Sequence, residues 1–502
     1  MVTAHFFEAA QWVFLLYFAG LNLGYIGLNL LTFVSLPTYM KRRVLSNLPR
    51  TYTSFEPPVS LIVAAYNEEA VAVSSIRSLL QIEYPEFEIV VVNDGSRDRT
   101  LEVLIAEFDL VLFPEAFRSR LRHARVRGIY RSRSHPQLRV VDKENGGCKA
   151  DAINTGLNAA RYPLVCPLDA DTVLQRDSIR LLVQPFLEDP RTVGTGGIVR
   201  IANGCRVSGG FLGAVDLPRR PLALFQVLEY LRAFLYGRVG WNSLDALPLI
   251  SGAFGLFHKE TIIALGGYSK DCVAEDMDLV LRIHRHFRLA GRPYRLTFIA
   301  DPVCWTEAPE DMRTLRNQRM RWQRGLLQCM SLHSELLFHR KAGWLGHVAL
   351  PFLFLFEGLG PLLEVLGFLA ILAGFALGWI SWHGFLAITL VAVALGTALS
   401  LTALLLEESV FHTYPRQRQV LVLMAVSLVE NLGYRQIMAW WRLRGFVQWL
   451  LGREVPWGDM LRKGSWQESQ TNPPARVRPG SGAARGAGRS SPIESATPAA
   501  TR

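Results

Sequence analysis

Cysteine is scarce in this chain, and its spacing excludes two classes of protein. Six cysteines occur, at positions 148, 166, 205, 272, 304 and 329, and none forms a Cys-x-x-Cys pair. A disulfide framework or a zinc finger needs cysteines paired at short spacings. The sequence therefore predicts reduced thiols in a cytosolic compartment, with no cysteine in a catalytic role.

Acidic residues are in the minority, with 43 Asp and Glu against 54 Lys and Arg, so the net charge is +11. Half of the residues are hydrophobic, too many for an ordinary soluble enzyme, and the surplus lies near the N-terminus and after residue 345. Basic charge beside apolar runs favours membrane lipids as partners. No zinc-finger or RNA-binding signature is present, which argues against nucleic acid as a partner.

The first apolar run lacks a preceding basic residue, which argues against a secretory signal peptide. Ala9–Leu36 is long enough to span a bilayer, Glu8 precedes it, and Lys41-Arg42-Arg43 follows it. Because basic residues collect on the cytoplasmic side, we expect the N-terminus outside and residue 45 onward in the cytoplasm.

Three apolar segments follow Gly343. Ala349–Trp379 is interpreted as one tilted span or as an interfacial helix followed by a span, and Phe385–Leu406 as a clear span. Val420–Trp441 is weaker, since Glu430 and its polar neighbours interrupt it. The arginine-rich end after Trp441 should be cytoplasmic. This requires two or four membrane crossings after the predicted soluble domain, and three would not fit.

These observations divide the chain into four parts. Residues 1–45 are expected to form a transmembrane helix with its basic stop, and residues 46–342 a soluble α/β domain. Residues 343–464 are expected to form transmembrane and interfacial helices. Residues 465–502, rich in Gly, Ser, Pro, Ala and Arg, are predicted to be disordered because they have little to bury.

The middle region alternates short apolar runs with helical stretches, which predicts a doubly wound open sheet. The predicted buried parallel strands are Ser60–Ala65, Glu88–Val92, Leu138–Val141 and Leu164–Leu168, with helices over Lys149–Arg161 and Asp177–Glu188. Such sheets bind ligands beyond the carboxyl ends of their strands.

Acidic residues follow two of these strands and open a later helix. Asp94 follows the second strand, Asp169 and Asp171 follow the fourth, and Asp276 begins an apolar-periodic helix. Each has a structural alternative: a turn for Asp94, a solvated loop for the Asp-x-Asp pair and helix capping for Asp276. Together they suit a reaction that needs a divalent metal and a carboxylate base.

Two further groups of residues have chemical potential. Gln318, Arg321 and Trp322 share one face of a predicted helix, either for phosphate and sugar contacts or as an interfacial helix. Gly146-Gly147-Cys148-Lys149 precedes a helix and allows close backbone approach to a ligand. The arginine-dense stretch 117–135 is interpreted as a solvated insertion, or alternatively as a patch on anionic lipid.

The order of strand-end Asp, Asp-x-Asp, Glu-Asp and Gln-x-x-Arg-Trp, in one α/β domain flanked by apolar runs, resembles the family 2 inverting glycosyltransferases. The resemblance extends from about Pro57 to Gly325. It is greatest to the processive β-polysaccharide synthases, which make cellulose, hyaluronan, chitin and poly-N-acetylglucosamine. It implies a cytoplasmic GT-A (Rossmann-like) domain inserted between transmembrane helices of a multi-pass cell-membrane protein.

The resemblance also implies roles for individual residues. Asp276 would be the catalytic base, and Asp169 and Asp171 would hold Mg²⁺ or Mn²⁺. Ser251, Gly252 and Trp322 would contact the acceptor. The nucleotide-sugar would contact Tyr66, Glu68, Asp94, Lys149, Asp151, Asp169, Gln318, Arg321 and Trp322.

The implied reaction transfers N-acetylglucosamine or glucose from a UDP-sugar to a growing β-linked polysaccharide, coupled to export with possible accessory proteins. Ala274 stands where cellulose synthases usually carry Thr before Glu-Asp, and Ile250–Ala253 lacks their acceptor-site cysteine, which favours an amino-sugar polymer. The alternatives are a ceramide glucosyltransferase-like enzyme that adds one sugar to a membrane lipid, and a catalytically inactive transporter or scaffold.

Overall fold

Ten strands form one mixed sheet within residues 2–46, 56–208 and 211–453, which the computed structural model describes. The order across this sheet is β3-β4-β5-β2-β1-β6-β11-β8-β12-β7, and β9 and β10 form a separate hairpin. The strands are β1 Val59–Ala65, β2 Phe87–Asn93, β3 Leu110–Leu112, β4 Val126–Ser132, β5 Leu138–Lys143, β6 Leu164–Asp169, β7 Val173–Leu174, β8 Thr192–Ile201, β9 Arg206–Ser208, β10 Phe211–Ala214, β11 Gly255–His258 and β12 Arg295–Thr306.

The four strands predicted from apolar runs are confirmed, and they lie side by side as the parallel segment β5-β2-β1-β6. Their Val, Ile and Leu side chains are almost completely buried, as expected for strands covered on both faces. The sheet is not parallel throughout, because β11 runs antiparallel between β6 and β8, and β3, β4 and β7 are antiparallel at the edges.

Helices cover both faces of the sheet and continue into an apolar bundle. The α-helices are α1 Val2–Ser46, α2 Ala72–Leu79, α3 Thr100–Glu107, α4 Lys149–Ala159, α5 Ser178–Glu188, α6 Pro221–Tyr230, α7 Val239–Ser243, α8 Lys259–Ala264, α9 Glu275–Leu289, α10 Met312–Leu332, α11 Leu350–Phe352, α12 Gly360–Ala376, α13 Trp382–Val410, α14 Gln417–Val429 and α15 Tyr434–Leu450. Three π-helical segments interrupt this series, at Leu231–Arg238, Leu345–Ala349 and Leu353–Gly358.

In the part of the chain that the structure describes, two helices are long and apolar enough to cross a membrane: Leu16–Pro37 within α1, and α13. Two bent pairs would raise the number to four if each formed a single span, and their bends are 43° before α12 and 60° between α14 and α15. The second bend divides the predicted segment Val420–Trp441, where Gly433 takes a φ of 111° and breaks the helix. The predicted disordered tail lies outside the described residues.

The apolar helices are fastened to the sheet domain by polar contacts. Arg200 of β8 forms a buried ion pair with Glu407 near the end of α13. The side chain of Arg442, on α15, donates to that of Gln323, on α10, at 2.9 Å. A Cβ on Gly445 would lie 2.6 Å from a backbone oxygen of α10, so α15 lies directly on α10.

The arginine-dense stretch is partly tied to the sheet domain. Arg120 pairs with Glu260 at 2.7 Å, Arg127 with Asp142 at 3.8 Å, and Arg131 with Glu115 at 3.0 Å. These pairs favour the interpretation as a solvated insertion over a patch dedicated to lipid.

Candidate active site

The predicted site residues converge because four parallel strands end at the same edge. In the register of the sheet, Ala64 pairs with Asp169 and Ala65 pairs with Asn93, so the residues after β1, β2 and β6 emerge together. They open into a cavity of about 1290 Å³. The predicted residues that line it are Tyr66, Glu68, Asp94, Lys149, Asp169, Asp171, Ser251, Gly252, Asp276, Gln318, Arg321 and Trp322.

One wall of the cavity is the loop after β1. Asn67 takes a left-handed φ of 55°, a conformation that Asn tolerates better than most residues. Its side-chain oxygen accepts from the backbone nitrogen of Arg97 at 2.8 Å, and the backbone nitrogen of Glu68 donates to Thr100 at 2.9 Å. These hydrogen bonds hold the loop after β1 in place. The exposed ring of Tyr66 then lines the cavity.

Asp94 is held by a buried lysine that sequence reasoning missed. Lys143, the last residue of β5, forms ion pairs with Asp94 and with Asp151. The backbone nitrogen of Gly146 also donates to Asp94 at 3.0 Å. The predicted strand Leu138–Val141 ended two residues too early; extending it would have brought Lys143 to the same edge as Asp94.

The prediction that Asp151 contacts the nucleotide is not supported, because Asp151 lies behind the loop and does not line the cavity. Its side chain is fully buried and pairs with Lys143 and Lys270. Burial opposes its ionisation, but hydrogen bonds from these lysines prevail and lower its pKa. A Cβ on Gly146 would lie 2.2 Å from an Asp151 carboxylate oxygen, so glycine is required for the loop to cover it.

Asp169 and Asp171 lie at the cavity with different partners. Thr306, at the end of β12, donates its hydroxyl to Asp171 at 3.0 Å. Lys149 Nζ lies 2.5 Å from an Asp169 oxygen and donates to the backbone oxygen of Gly252 at 3.0 Å. Burial opposes the charge of Lys149, but Asp169 and Glu275 outweigh it and raise the pKa of this lysine.

The pair Asp169 and Asp171 fits a hard divalent cation in donor chemistry, because carboxylate oxygens are the ligands that Mg²⁺ and Mn²⁺ prefer. No group of three or more His, Cys, Asp and Glu side chains that could hold a metal occurs within the described ranges. Oxygens from a bound ligand or from water would therefore have to complete the coordination.

Asp276 faces the loop that carries Ser251 and Gly252 from the first turn of α9. The backbone nitrogen of Gly252 donates to Asp276 Oδ2 at 2.8 Å. A Cβ on Gly252 would lie 3.3 Å from Lys149 Nζ and 3.4 Å from Asp276 Oδ2, so a glycine allows the loop to approach both. The neighbouring Glu275 is buried, and its burial raises its pKa.

The predicted shared face of α10 is confirmed, since Gln318, Arg321 and Trp322 all line the cavity. Burial lowers the pKa of Arg321, while the charges of Glu275 and Asp169 act in the opposite direction. Trp322 is exposed, and the guanidinium of Arg319 lies 4.5 Å from its ring centroid. Arg321 thus lies in the field of Asp169, from a strand end, and of Glu275, from the first turn of α9.

The cavity continues from this edge between the apolar helices, where its lining includes Tyr25, Glu357, Glu364, Arg435 and Arg442. Tyr25 of α1 donates to Glu357, which also pairs with Arg442 of α15 at 2.7 Å. A hydropathy profile does not predict that Tyr25 and Arg442 contact Glu357, because the three residues are far apart in the chain.

Comparisons with known proteins identify related enzymes. A family model described as Glycosyl transferase family 2 matches residues 60–209, and one described as Glycosyl transferase family group 2 matches residues 164–402. Poly-beta-1,6-N-acetyl-D-glucosamine synthase of Staphylococcus epidermidis is 28% identical over 267 residues, covering 53% of this chain and 54% of the relative. The corresponding synthase of Staphylococcus aureus strain COL is 28% identical over 269 residues, with the same coverage. The chain thus spans about half the length of the curated relatives it matches.

Among solved structures, similarity is found to mannosyltransferase PcManGT from Pyrobaculum calidifontis in complex with GDP-Man and Mn²⁺. The TM-score is 0.47 at 20% identity, covering 86% of this chain and 100% of the other. S. aureus TarS gives a TM-score of 0.32 at 17% identity, covering 57% and 45%. The two family models together run from residue 60 to residue 402, so the chain carries glycosyltransferase family 2 domains, and its mixed sheet is the GT-A-like core that the sequence predicts.

Proposed function

We propose that this enzyme is an inverting polysaccharide synthase that transfers N-acetylglucosamine or glucose from a UDP-sugar to a growing β-linked polymer. The observation that carries the proposal is the cavity that runs from the strand-end carboxylates to the space between the apolar helices. A single-sugar transfer needs no such continuation, whereas a growing chain needs a path away from the base. The similarity to poly-beta-1,6-N-acetyl-D-glucosamine synthases supports an amino-sugar donor.

Asp276 is the proposed general base. Its Oδ2 accepts from Gly252, on the loop proposed to hold the acceptor with Ser251 and Trp322, so the carboxylate is oriented before the acceptor arrives. In the reaction it takes the proton from an acceptor hydroxyl whose oxygen attacks the anomeric carbon. The bond from that carbon to the UDP oxygen breaks in the same displacement, which inverts an α-linked donor to a β-linked product.

The donor end is proposed to lie at the strand edge. Tyr66 and Asp94 would contact the nucleotide, and Lys149 and Arg321 would face the diphosphate together with Gln318. Asp169 and Asp171 would hold Mg²⁺ or Mn²⁺, whose charge would stabilise the departing UDP. Lys149 would have to exchange its contact with Asp169 for one with the donor, and a long lysine side chain allows that exchange.

The proposed location is the cell membrane, with the catalytic domain in the cytoplasm. The end of α13 carries Glu407, which contacts the sheet domain, so α12 and α13 suit a pair of crossings that returns to the cytoplasm. This agrees with two crossings after residue 342, α14 and α15 lying against the sheet domain. Membrane lipids and accessory export proteins are proposed partners.

The test uses the full chain in nanodiscs with Mn²⁺ or Mg²⁺ and UDP-glucose, UDP-N-acetylglucosamine or UDP-glucuronate. We expect UDP release and a high-molecular-weight ladder from one neutral donor, with Asp276→Asn as the inactive control. A lipid-soluble product carrying one sugar would replace the synthase by a lipid transferase. Absence of UDP release with every donor would contradict the catalytic proposal.

A further inference from the structure

Arg238 stands apart from the other cavity arginines because its guanidinium has no hydrogen-bond or ion-pair partner within the described ranges. It ends the π-helical segment Leu231–Arg238 and lines the cavity. It makes no ion pair or hydrogen bond through its side chain to another described residue, and its Nη1 atom is buried without a partner. By contrast, Arg232, earlier in the same segment, pairs with Glu430 at 2.5 Å.

The π-helical turn fixes the Arg238 guanidinium without neutralising it. Arg238 Cζ lies 3.7 Å from the ring centroid of the buried Phe234. The wider turn of a π-helix brings residues four apart over one another, and such turns recur at functional sites. The ring therefore holds the guanidinium plane, while its donors remain available for a ligand.

The surroundings of Arg238 place it on the acceptor side of the active site. Arg238 and Phe234 line the same cavity as Asp276, Ser251 and Gly252. Asp276 is the carboxylate whose charge acts on Arg238, whereas Lys149 and Arg321 lie in the field of Asp169 as well as of Asp276. Burial lowers the pKa of Arg238 to about 10, so it stays protonated at neutral pH.

The membrane side of the same segment borders the apolar helices. Thr32 of α1 donates its hydroxyl to the backbone oxygen of Tyr236 at 3.1 Å. The rings of Tyr236 and Tyr25 lie edge to face with centroids 6.2 Å apart. Arg238 therefore lies at the passage from the catalytic base to the part of the cavity between the helices.

A ligand at this passage must accept hydrogen bonds from a half-buried cation. Hydroxyl and amide carbonyl oxygens of a sugar do so, and the planar guanidinium can contact two of them at once. A diphosphate would also accept, but Lys149 and Arg321 are the cations that lie in the field of the strand-end Asp169. Aromatic residues of the same stretch that line the cavity, Tyr230 and Trp241, suit a sugar ring better than a free anion.

We propose that Arg238, stacked on Phe234, binds the terminal sugar of the acceptor chain and holds it against Asp276 at the start of its exit path. The inference rests on the proposed polysaccharide synthesis, because it requires an acceptor that is itself a sugar. It adds a specificity-determining residue to Ser251, Gly252 and Trp322.

The experiment compares the full-length wild type with Arg238→Met and Arg238→Lys in nanodiscs, supplied with UDP-N-acetylglucosamine, Mn²⁺ and a β-1,6-linked N-acetylglucosamine tetrasaccharide. We expect Arg238→Met to raise the KM for the tetrasaccharide about tenfold or more, because a hydrogen bond from a charged group is lost. The Kd for UDP should change by less than about twofold. Arg238→Lys should recover part of the loss, and Arg219→Met, an exposed arginine before α6, should match the wild type.

Thermal unfolding separates binding from a structural role. Because a half-buried cation without an ion-pair partner is unfavourable, Arg238→Met should keep or raise the unfolding midpoint. A lowered midpoint with an unchanged KM would assign Arg238 to folding, and a weakened UDP affinity with an unchanged KM would assign it to the donor diphosphate. Either result overturns the proposal. If the wild type elongates no acceptor, the proposed function itself fails, which is distinct from an Arg238 variant that behaves like an active wild type.

Discussion

The two halves of the cavity use charge differently. At the strand edge, Asp169 contacts Lys149, a long side chain that also reaches Gly252 and Glu275. Between the apolar helices, Glu430 is held by Arg232 and Arg435 together. Lys149 can exchange its contact with Asp169 for a contact with a ligand. Glu430 instead forms ion pairs with arginines of neighbouring helical segments. The first half therefore suits the ionic donor that we propose, and the second half suits the neutral product.

The largest effect is expected from Asp276→Asn, which removes a proton acceptor without removing the oxygen that accepts from Gly252. We expect the rate of transfer to fall by about 10² to 10⁴-fold, while UDP affinity stays as in the wild type. The measurement is UDP release with titrated UDP binding, and Asp271→Asn, an exposed aspartate before α9, is the control. Full activity would remove Asp276 as the base.

A smaller effect is expected from Asp171→Ala, which removes a proposed metal ligand at the strand edge. We expect UDP affinity in Mn²⁺ to fall about 10 to 100-fold, the size typical of weakened metal sites. In EDTA, the variant and the wild type should bind UDP equally. The measurement is calorimetric titration, and an Mn²⁺ dependence equal to that of the wild type would exclude Asp171 as a ligand.

The smallest effect is expected in the other half, from Arg442→Met, which leaves Glu357 without its cation. An unpaired carboxylate in this setting is unfavourable, so the unfolding midpoint should fall by about 2 °C or more. UDP affinity should stay unchanged, because the strand edge is untouched. The double variant with Glu357→Gln should regain the midpoint; no recovery would mean that the two charges do not depend on each other.

The parallel core was predictable because strands buried on both faces appear as runs of Val, Ile and Leu. The shared edge then brought Asp94, Asp169 and Asp171 together without further information. The antiparallel β11 and β7 were not predicted, since each is short and lacks a distinctive run. The break at Gly433 was missed because an average over apolar residues does not register one positive φ.

The site was less predictable where a side chain depends on distant neighbours. Asp151 belongs to a Lys-Ala-Asp segment that resembles the family's nucleotide pocket, but Lys143 and Lys270 draw its carboxylate behind the loop. Arg238 could not be predicted as a site residue, because it belongs to no sequence motif. What distinguishes it is that its guanidinium has no ion-pair or hydrogen-bond partner among the described residues. Only three-dimensional packing reveals such an absence.

The buried pair between Arg200 and Glu407 has a consequence for the time course of synthesis. Its members are 207 positions apart. At about 5 to 20 residues per second, the strand that bears Arg200 is made roughly 10 to 40 s before the helix end that neutralises it. The charge of Arg200 therefore lacks this partner until the chain reaches residue 407, and a ribosome that stops earlier leaves a domain with an uncompensated interior charge.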